Sequence, residues 1–158
     1  MDIIYAVKFV HLLGAGAMFG GWLAVALFMV LAHRAHNTSV LALISQFVVS
    51  LELFVVAPAM VLQPLTGFPL ATAIGLSVLD EFWLQLSIAI YVVLVVAWVG
   101  AVLVERRIRS LTRQAAMNSA PLPEAYARLF RLWLALAVPI LATMLALFLI
   151  MVWQPRLD

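Results

Sequence analysis

Hydrophobic residues form four long stretches that are separated by short, more polar connections. The stretches cover about residues 3–32, 40–63, 82–104 and 127–153. A transmembrane helix needs roughly 20 mostly apolar residues, and each stretch reaches that length. The pattern therefore predicts an all-α integral membrane protein in which residues 1–158 form a single transmembrane domain, an up-down-up-down four-helix bundle.

The composition supports a protein embedded in lipid. Hydrophobic residues make up 67% of the chain and charged residues 10%, whereas a soluble domain is about half apolar and about a quarter charged. Cysteine is absent, which excludes disulfides, thiolate metal sites and covalently attached haem. The sequence contains no phosphate-binding loop, dinucleotide fingerprint or nucleophile motif. Neither a nucleotide enzyme nor a nucleic-acid partner is expected.

The distribution of basic residues predicts the orientation of the bundle. The third connection contains Arg106, Arg107, Arg109 and Arg113. The first connection contains Arg34, and the second, over residues 64–81, contains no Lys or Arg. Because Lys and Arg concentrate in cytoplasmic connections, the first and third should be cytoplasmic, with the second connection and both termini on the outer side. We therefore expect a multi-pass protein of the cell inner (plasma) membrane.

The second and third connections predict different local structures. Residues 63–69 include two prolines and a glycine, which stop helices. The connection is nevertheless too apolar for a solvated loop, so we expect a re-entrant or interfacial segment, with Ser77 and Asp80 capping the third helix. In the third connection we expect the helix to continue past the membrane to about Met117 and to break at residues 118–123.

Ionisable residues within the apolar stretches are candidate functional residues. The four are Lys8, His11, Glu52 and Arg131. Such groups are costly in hydrocarbon unless they are paired. Lys8 and His11 are three residues apart and share a helix face with Gly14, where a strip of small residues begins. The strip suits either close packing of another helix or a flat ligand with the His11 imidazole as its axial ligand.

Depth along the helices predicts which side chains can meet. His11 lies roughly 12 Å below the outer end of its span, Met144 roughly 14 Å and Glu52 roughly 16 Å below Gln63. These three are expected to line one level of the bundle, with Met144 as a second axial ligand and Glu52 as a proton relay. His33 lies roughly 33 Å from His11 along the helix and cannot share a metal with it. An interhelical hydrogen bond is the alternative role for His11.

Four separated segments, in order, cover nearly the whole chain. They are residues 8–15 (KFVHLLGA), 32–34 (AHR), Pro58 with 62–67 (LQPLTG), and 121–123 (PLP) with 128–133 (RLFRLW). Together they resemble an uncharacterised family, a domain of unknown function described as predicted bacterial integral membrane proteins. The resemblance implies a four-helix topology and almost no biochemistry.

The first helix also resembles two better-known four-helix groups. Lys8, His11 and the small-aromatic-glycine run that follows are similar to the opening of haem-containing bacterial protoporphyrinogen oxidase and of copper-resistance D-type membrane proteins. In the oxidase, a first-helix histidine is implicated in binding b-haem and a second lies near the far end of that helix; His11 and His33 match them. The resemblance implies haem b on His11, with Gly14 beside it and Lys8 near a propionate.

We therefore expect a membrane protein that binds b-haem and transfers electrons or oxidises a membrane-soluble substrate. Two alternatives stay open: a non-catalytic accessory subunit of a larger membrane complex, and a small-solute transporter, which would need to oligomerise. The expected partners are the lipid bilayer and either other membrane subunits or further copies of the chain. Copper transport is less favoured because Cys and a Met-x-x-Met cluster are absent.

Overall fold

The computed structural model describes residues 3–78 and 80–155, and these ranges are helical apart from short connections. The helices are α1 (Ile3–Arg34), α2 (Thr38–Leu51), a π-helical turn (Glu52–Val56), α3 (Ala57–Ala73), α4 (Phe82–Met117) and α5 (Glu124–Trp153). Because α2, the π turn and α3 run on as one helix, the described residues form four helices long and apolar enough to cross a membrane. The predicted all-α, four-span fold is confirmed.

The helices pack around one apolar core. α1 packs against α2, the π turn and α3, while α4 packs against α2 and α5, and α5 also contacts α1. Trp22, Trp133 and Met29 are fully buried at the centre. Large apolar side chains such as Phe54 and Val96 are exposed on the outside of the bundle. Lipid rather than water solvates such a surface at little cost.

The second helix continues through the segment that was expected to interrupt it. Pro64 and Pro69 both lie inside α3, which ends only at Ala73, so the expectation that these residues stop the helix is wrong. Pro64 has no N–H and leaves the carbonyl of Met60, four residues earlier, without its helical donor. The Tyr91 hydroxyl of α4 donates a hydrogen bond to that carbonyl. In a membrane, such a neighbour satisfies the backbone group where water cannot.

The second connection follows a well-defined helix end and precedes a helix start that has no side-chain cap. Gly75, at φ +78°, terminates α3, and the backbone N–H of Leu76 donates to the carbonyl of Ala71 at 2.9 Å, a Schellman arrangement. α4 begins after Glu81 without a side-chain cap, so the predicted capping by Ser77 and Asp80 is wrong.

The break at residues 118–123 and the extension of α4 to Met117 are confirmed.

The π turn changes the register of the second span just before Pro58. The backbone N–H of Ala57 donates to the carbonyl of Glu52, five residues earlier rather than four. The wider turn accommodates Pro58, whose ring would otherwise press on the carbonyl of Phe54. Single π turns are frequent at functional sites because they redirect the side chains around them. Here the turn begins at an acidic residue.

Candidate functional sites in the bundle

Glu52 places its carboxyl group in the core of the bundle. Its side chain has an exposed fraction of 0%. Its Oε2 atom accepts a 2.6 Å hydrogen bond from the indole Nε1 of Trp98 on α4. A hydrogen bond to a charged or polarised acceptor in a poorly solvated site is among the stronger contacts a protein makes. Trp98 therefore orients Glu52 rather than anchoring α4 at a membrane interface.

Glu105 on α4 has a matching arrangement. Its exposed fraction is 1%, and its Oε1 atom accepts a 2.7 Å hydrogen bond from Nε1 of Trp133 on α5. Trp133 is itself fully buried, stacked beside Phe130 with ring centroids 5.8 Å apart. The side chain of Glu105 is thus fixed by a helix different from its own.

The two glutamates lie at the same level of the bundle. The hydroxyls of Ser45 on α2 and Thr112 on α4 are 2.9 Å apart. Glu52 follows Ser45 by seven residues and Glu105 precedes Thr112 by seven, which is about two turns along each of two antiparallel helices. Both side chains are buried in the same bundle, where α2 packs against α4. We call Glu52 and Glu105 the carboxyl pair.

The carboxyl pair is incompletely satisfied by the described residues. Oε1 of Glu52 and Oε2 of Glu105 are buried without a hydrogen-bond partner there, as is Nε1 of Trp22. Neither carboxyl group is hydrogen-bonded to a cationic side chain in the described ranges. Buried polar atoms almost always have partners, so three unpaired atoms in one core require an explanation.

His11 joins α1 to α3. Its Nδ1 lies 2.7 Å from the Thr66 hydroxyl, and that hydroxyl lies 2.5 Å from the carbonyl of Leu62. Since the hydroxyl donates its proton to the carbonyl, it accepts from Nδ1, which leaves the lone pair of a neutral imidazole on Nε2. The side chain of Gln63 also bonds the backbone carbonyl of His11 at 3.3 Å.

The strip of small residues on α1 is filled by the second span. A Cβ at Gly14 would lie 2.8 Å from Nε2 of Gln63, and one at Gly21 would lie 2.9 Å from Cγ2 of Val56. Glycine at these positions allows the two helices to approach closely, as small residues do in membranes. Of the two uses predicted for the strip, the described contacts are those of helix packing.

The structure does not bring the predicted site residues to one level. Thr66, which contacts His11, is fourteen residues after Glu52, or about 20 Å along the helix. The rings of Phe19 and Phe148 meet with centroids 5.7 Å apart, which sets α5 against α1. Met144 is one turn beyond Phe148 on the side away from His11, about 18 Å from it along the helices. The predicted common level is wrong.

Lys8 and His33 are the other two residues of α1 that the sequence analysis singled out. Lys8 is exposed near the start of α1. His33, at the other end of α1, has its Nδ1 2.8 Å from the Tyr126 hydroxyl and stacks on Phe130 with centroids 3.9 Å apart. Over the described residues, no group of three or more His, Cys, Asp and Glu side chains is placed to hold a metal ion. His33 therefore fastens α1 to α5.

Sequence reasoning found Glu52 and missed its companions. Glu105 lies just after the apolar stretch of the third span and begins the basic run of α4, where an acidic residue gives no sign of burial. Trp133 lies near the start of the fourth apolar stretch, where tryptophan is common at membrane interfaces. One signal was present: Trp98 lies in the middle of a span, where an indole N–H needs an acceptor.

Four apolar helices around a buried polar centre define a multi-pass helical membrane protein. Residues 5–155 match the family described as predicted integral membrane protein (DUF2269), and the chain belongs to this family. This confirms the first resemblance drawn from the sequence. No curated protein and no solved structure matches the chain.

Proposed function

We propose that this protein takes up and releases protons at the carboxyl pair, as part of a proton-coupled process in the membrane. One observation supports the proposal above all. Glu52 and Glu105, with exposed fractions of 0% and 1%, lie at one level of the bundle, and each has one oxygen bonded to an indole and one unpaired among the described residues.

The energetics of burial favour a proton in this site. An ionised carboxylate without a cationic partner costs several kcal/mol in a protein interior. Two adjacent carboxylates cannot both be charged without further cost, because like charges repel strongly where the dielectric constant is low. A proton bound by Glu52 or Glu105 removes one charge and supplies a donor for an unpaired oxygen. The carboxyl pair then acts as one proton-binding unit.

The tryptophans suit this role. Trp98 and Trp133 each engage a single oxygen of their glutamate. The other oxygen can gain or lose a proton while the hydrogen bond to the indole persists. The π turn at Glu52 provides the local backbone change that directs this side chain at α4.

Infrared spectroscopy of the purified protein in lipid nanodiscs tests the proposal. The carbonyl stretch of a protonated carboxylic acid is separate from that of a carboxylate and shifts in D₂O. We expect such a band at neutral pH, diminished in Glu52→Gln and Glu105→Gln and lost in the double variant. Glutamine keeps an oxygen for the indole, so the fold should persist. Glu124→Gln, at an exposed position on α5, is the matched control.

Two outcomes would overturn the proposal. One is the absence of a protonated carboxyl band at neutral pH. The other is a band that survives in a folded double variant, since the proton would then be bound elsewhere. A band that falls as the pH is raised and recovers when it is lowered supports reversible uptake and release.

Ligation of b-haem by His11 is a second candidate, favoured by the hydrogen bond to Thr66. A metal-binding histidine usually donates its other ring nitrogen in this way, which leaves Nε2 for the metal. The donor atom suits haem iron, which would supply one-electron chemistry when bound. The described residues of one chain do not enclose a porphyrin there, because the second span fills the strip beside Gly14. We therefore assign no step to haem.

An absorption spectrum of the detergent-purified protein, oxidised and dithionite-reduced, decides this candidate. A Soret band with sharp α and β bands on reduction, lost in His11→Ala, would support haem on His11. His36→Ala, at an exposed histidine, is the control. A flat spectrum from protein purified under haem-replete expression would exclude it and leave His11 as a packing contact between α1 and α3.

A further inference from the structure

A groove lies between the second span and the C-terminal part of α4. Its cavity volume is about 600 Å³, within the range of about 300–1,000 Å³ typical of small-molecule sites. One wall is formed by Arg106, Arg109 and Arg113 of α4, and the other by Val49 and Leu53. We call it the arginine groove.

The three arginines form one continuous basic edge. Their spacings of three and four residues place them on one face of α4. Ser110 and Gln114 also line the groove and add neutral hydrogen-bonding groups. None of the described lining residues is Asp or Glu. The wall therefore presents positive charge with no acidic residue of the groove to offset it.

The opposite wall is apolar. Val49 is buried on α2, and Leu53 lies in the π turn with a partly exposed side chain. Arg106 comes just after the apolar stretch of α4 that ends near residue 104. The groove thus runs from a basic region at the membrane boundary onto a hydrophobic surface.

We infer that the arginine groove binds an anionic phospholipid. Guanidinium groups bind phosphate oxygens through paired, charge-assisted hydrogen bonds, and basic pockets between transmembrane helices bind anionic headgroups. Arg106, Arg109 and Arg113 would hold the headgroup while the exposed side chain of Leu53 contacts an acyl chain. A lipid fits better than free phosphate because only a lipid uses both walls. This inference does not depend on the proposed proton site.

Thermal unfolding in detergent, with added phosphatidylglycerol, tests the inference. The key variant is Arg106→Gln/Arg109→Gln/Arg113→Gln. Its control is Arg107→Gln/Arg128→Gln/Arg131→Gln, which removes the same positive charge from exposed positions. We expect phosphatidylglycerol to raise the unfolding temperature of the wild type and the control. In the groove variant, the apparent affinity should fall roughly tenfold or more, because charge-assisted bonds are lost.

Each remaining outcome is decisive. An equal response of the groove variant and the wild type would overturn the inference, as would an equal effect of phosphatidylcholine. An equal effect of inorganic phosphate would show a simple anion site and overturn the lipid assignment. If the triple variant does not fold, Arg113→Gln replaces it, with Arg107→Gln as its control, and native mass spectrometry counts the bound phosphatidylglycerol.

Discussion

The indole nitrogen of Trp133 donates a 2.7 Å hydrogen bond to Oε1 of Glu105, and both side chains are almost completely buried. The contact joins α5 to α4 at the level where Glu52 approaches from the second span. Trp133, which packs in the core, thus also holds the titratable side chain of Glu105 in place. The packing of α5 and the orientation of the Glu105 side chain are linked through this bond.

Removing that donor should destabilise the protein. In Trp133→Phe, the Oε1 atom of Glu105 stays buried without a partner, which costs about 1–3 kcal/mol. We expect a lower unfolding temperature in detergent than for the wild type. Trp153→Phe, at an exposed position, should have little effect. Adding Glu105→Leu to Trp133→Phe should restore part of the loss because both polar partners are then gone. Equal stabilities of Trp133→Phe and Trp153→Phe would contradict this account.

The hydrogen bond from Tyr91 to the backbone carbonyl of Met60 should matter only while Pro64 is present. Tyr91→Phe leaves that carbonyl unpaired and should cost about 1–3 kcal/mol. In a Pro64→Ala background, the new N–H serves the carbonyl, so the cost of Tyr91→Phe should shrink. A double-mutant cycle of unfolding measures this coupling. Tyr5→Phe, at an exposed position, is the control, and a coupling of zero would refute the explanation.

Two adjacent glycines of α1 should respond in opposite ways to alanine. A Cβ at Gly21 would meet Cγ2 of Val56 at 2.9 Å, whereas one at Gly20 would meet nothing within 4 Å. Overpacking of this kind typically costs about 1–3 kcal/mol. We therefore expect Gly21→Ala to unfold at lower temperature and Gly20→Ala to match or exceed the wild type. The same loss in both variants would mean that the helix contact does not determine the effect.

The orientation predicted from the arginines can be tested with single cysteines, because the chain contains none of its own. Asn118→Cys lies in the connection after α4, and Ser77→Cys lies in the connection before it. In intact cells treated with a membrane-impermeant maleimide, we expect labelling of the Ser77→Cys variant and protection of the Asn118→Cys variant. Permeabilised cells provide the control in which both react. The reverse pattern would place the basic connection outside.

The hydrophobic lengths predicted the number of helices well. The first span was expected over residues 3–32 and α1 covers Ile3–Arg34, since a long apolar run in lipid has no alternative to helix. The second span was expected to stop at residue 63, and the helix instead reaches Ala73. Local propensity describes Pro64 correctly as a poor helix residue. Local propensity takes no account of Tyr91 on α4, whose hydroxyl donates to the Met60 carbonyl that Pro64 leaves unpaired.

The sequence likewise indicated one residue of the candidate site and not the other. Glu52 was recognisable because a carboxylate is rare within an apolar stretch. Glu105 was not, since it begins a run of charged residues and its burial depends on the approach of α5. Likewise, the sequence left two uses for the glycine strip, and only the tertiary structure showed that Val56 packs against Gly21.

The sequence by itself determined the class of this protein: four apolar spans, an all-helical fold and a basic connection after the third span. These properties follow from residue composition over windows of about 20 residues, because lipid imposes them on each helix separately. Only the tertiary structure decided that Glu52 lies at the level of Glu105 and that His11 bonds Thr66 rather than a residue at the level of Glu52. Such contacts depend on helix register and rotation, which each helix acquires only from its neighbours.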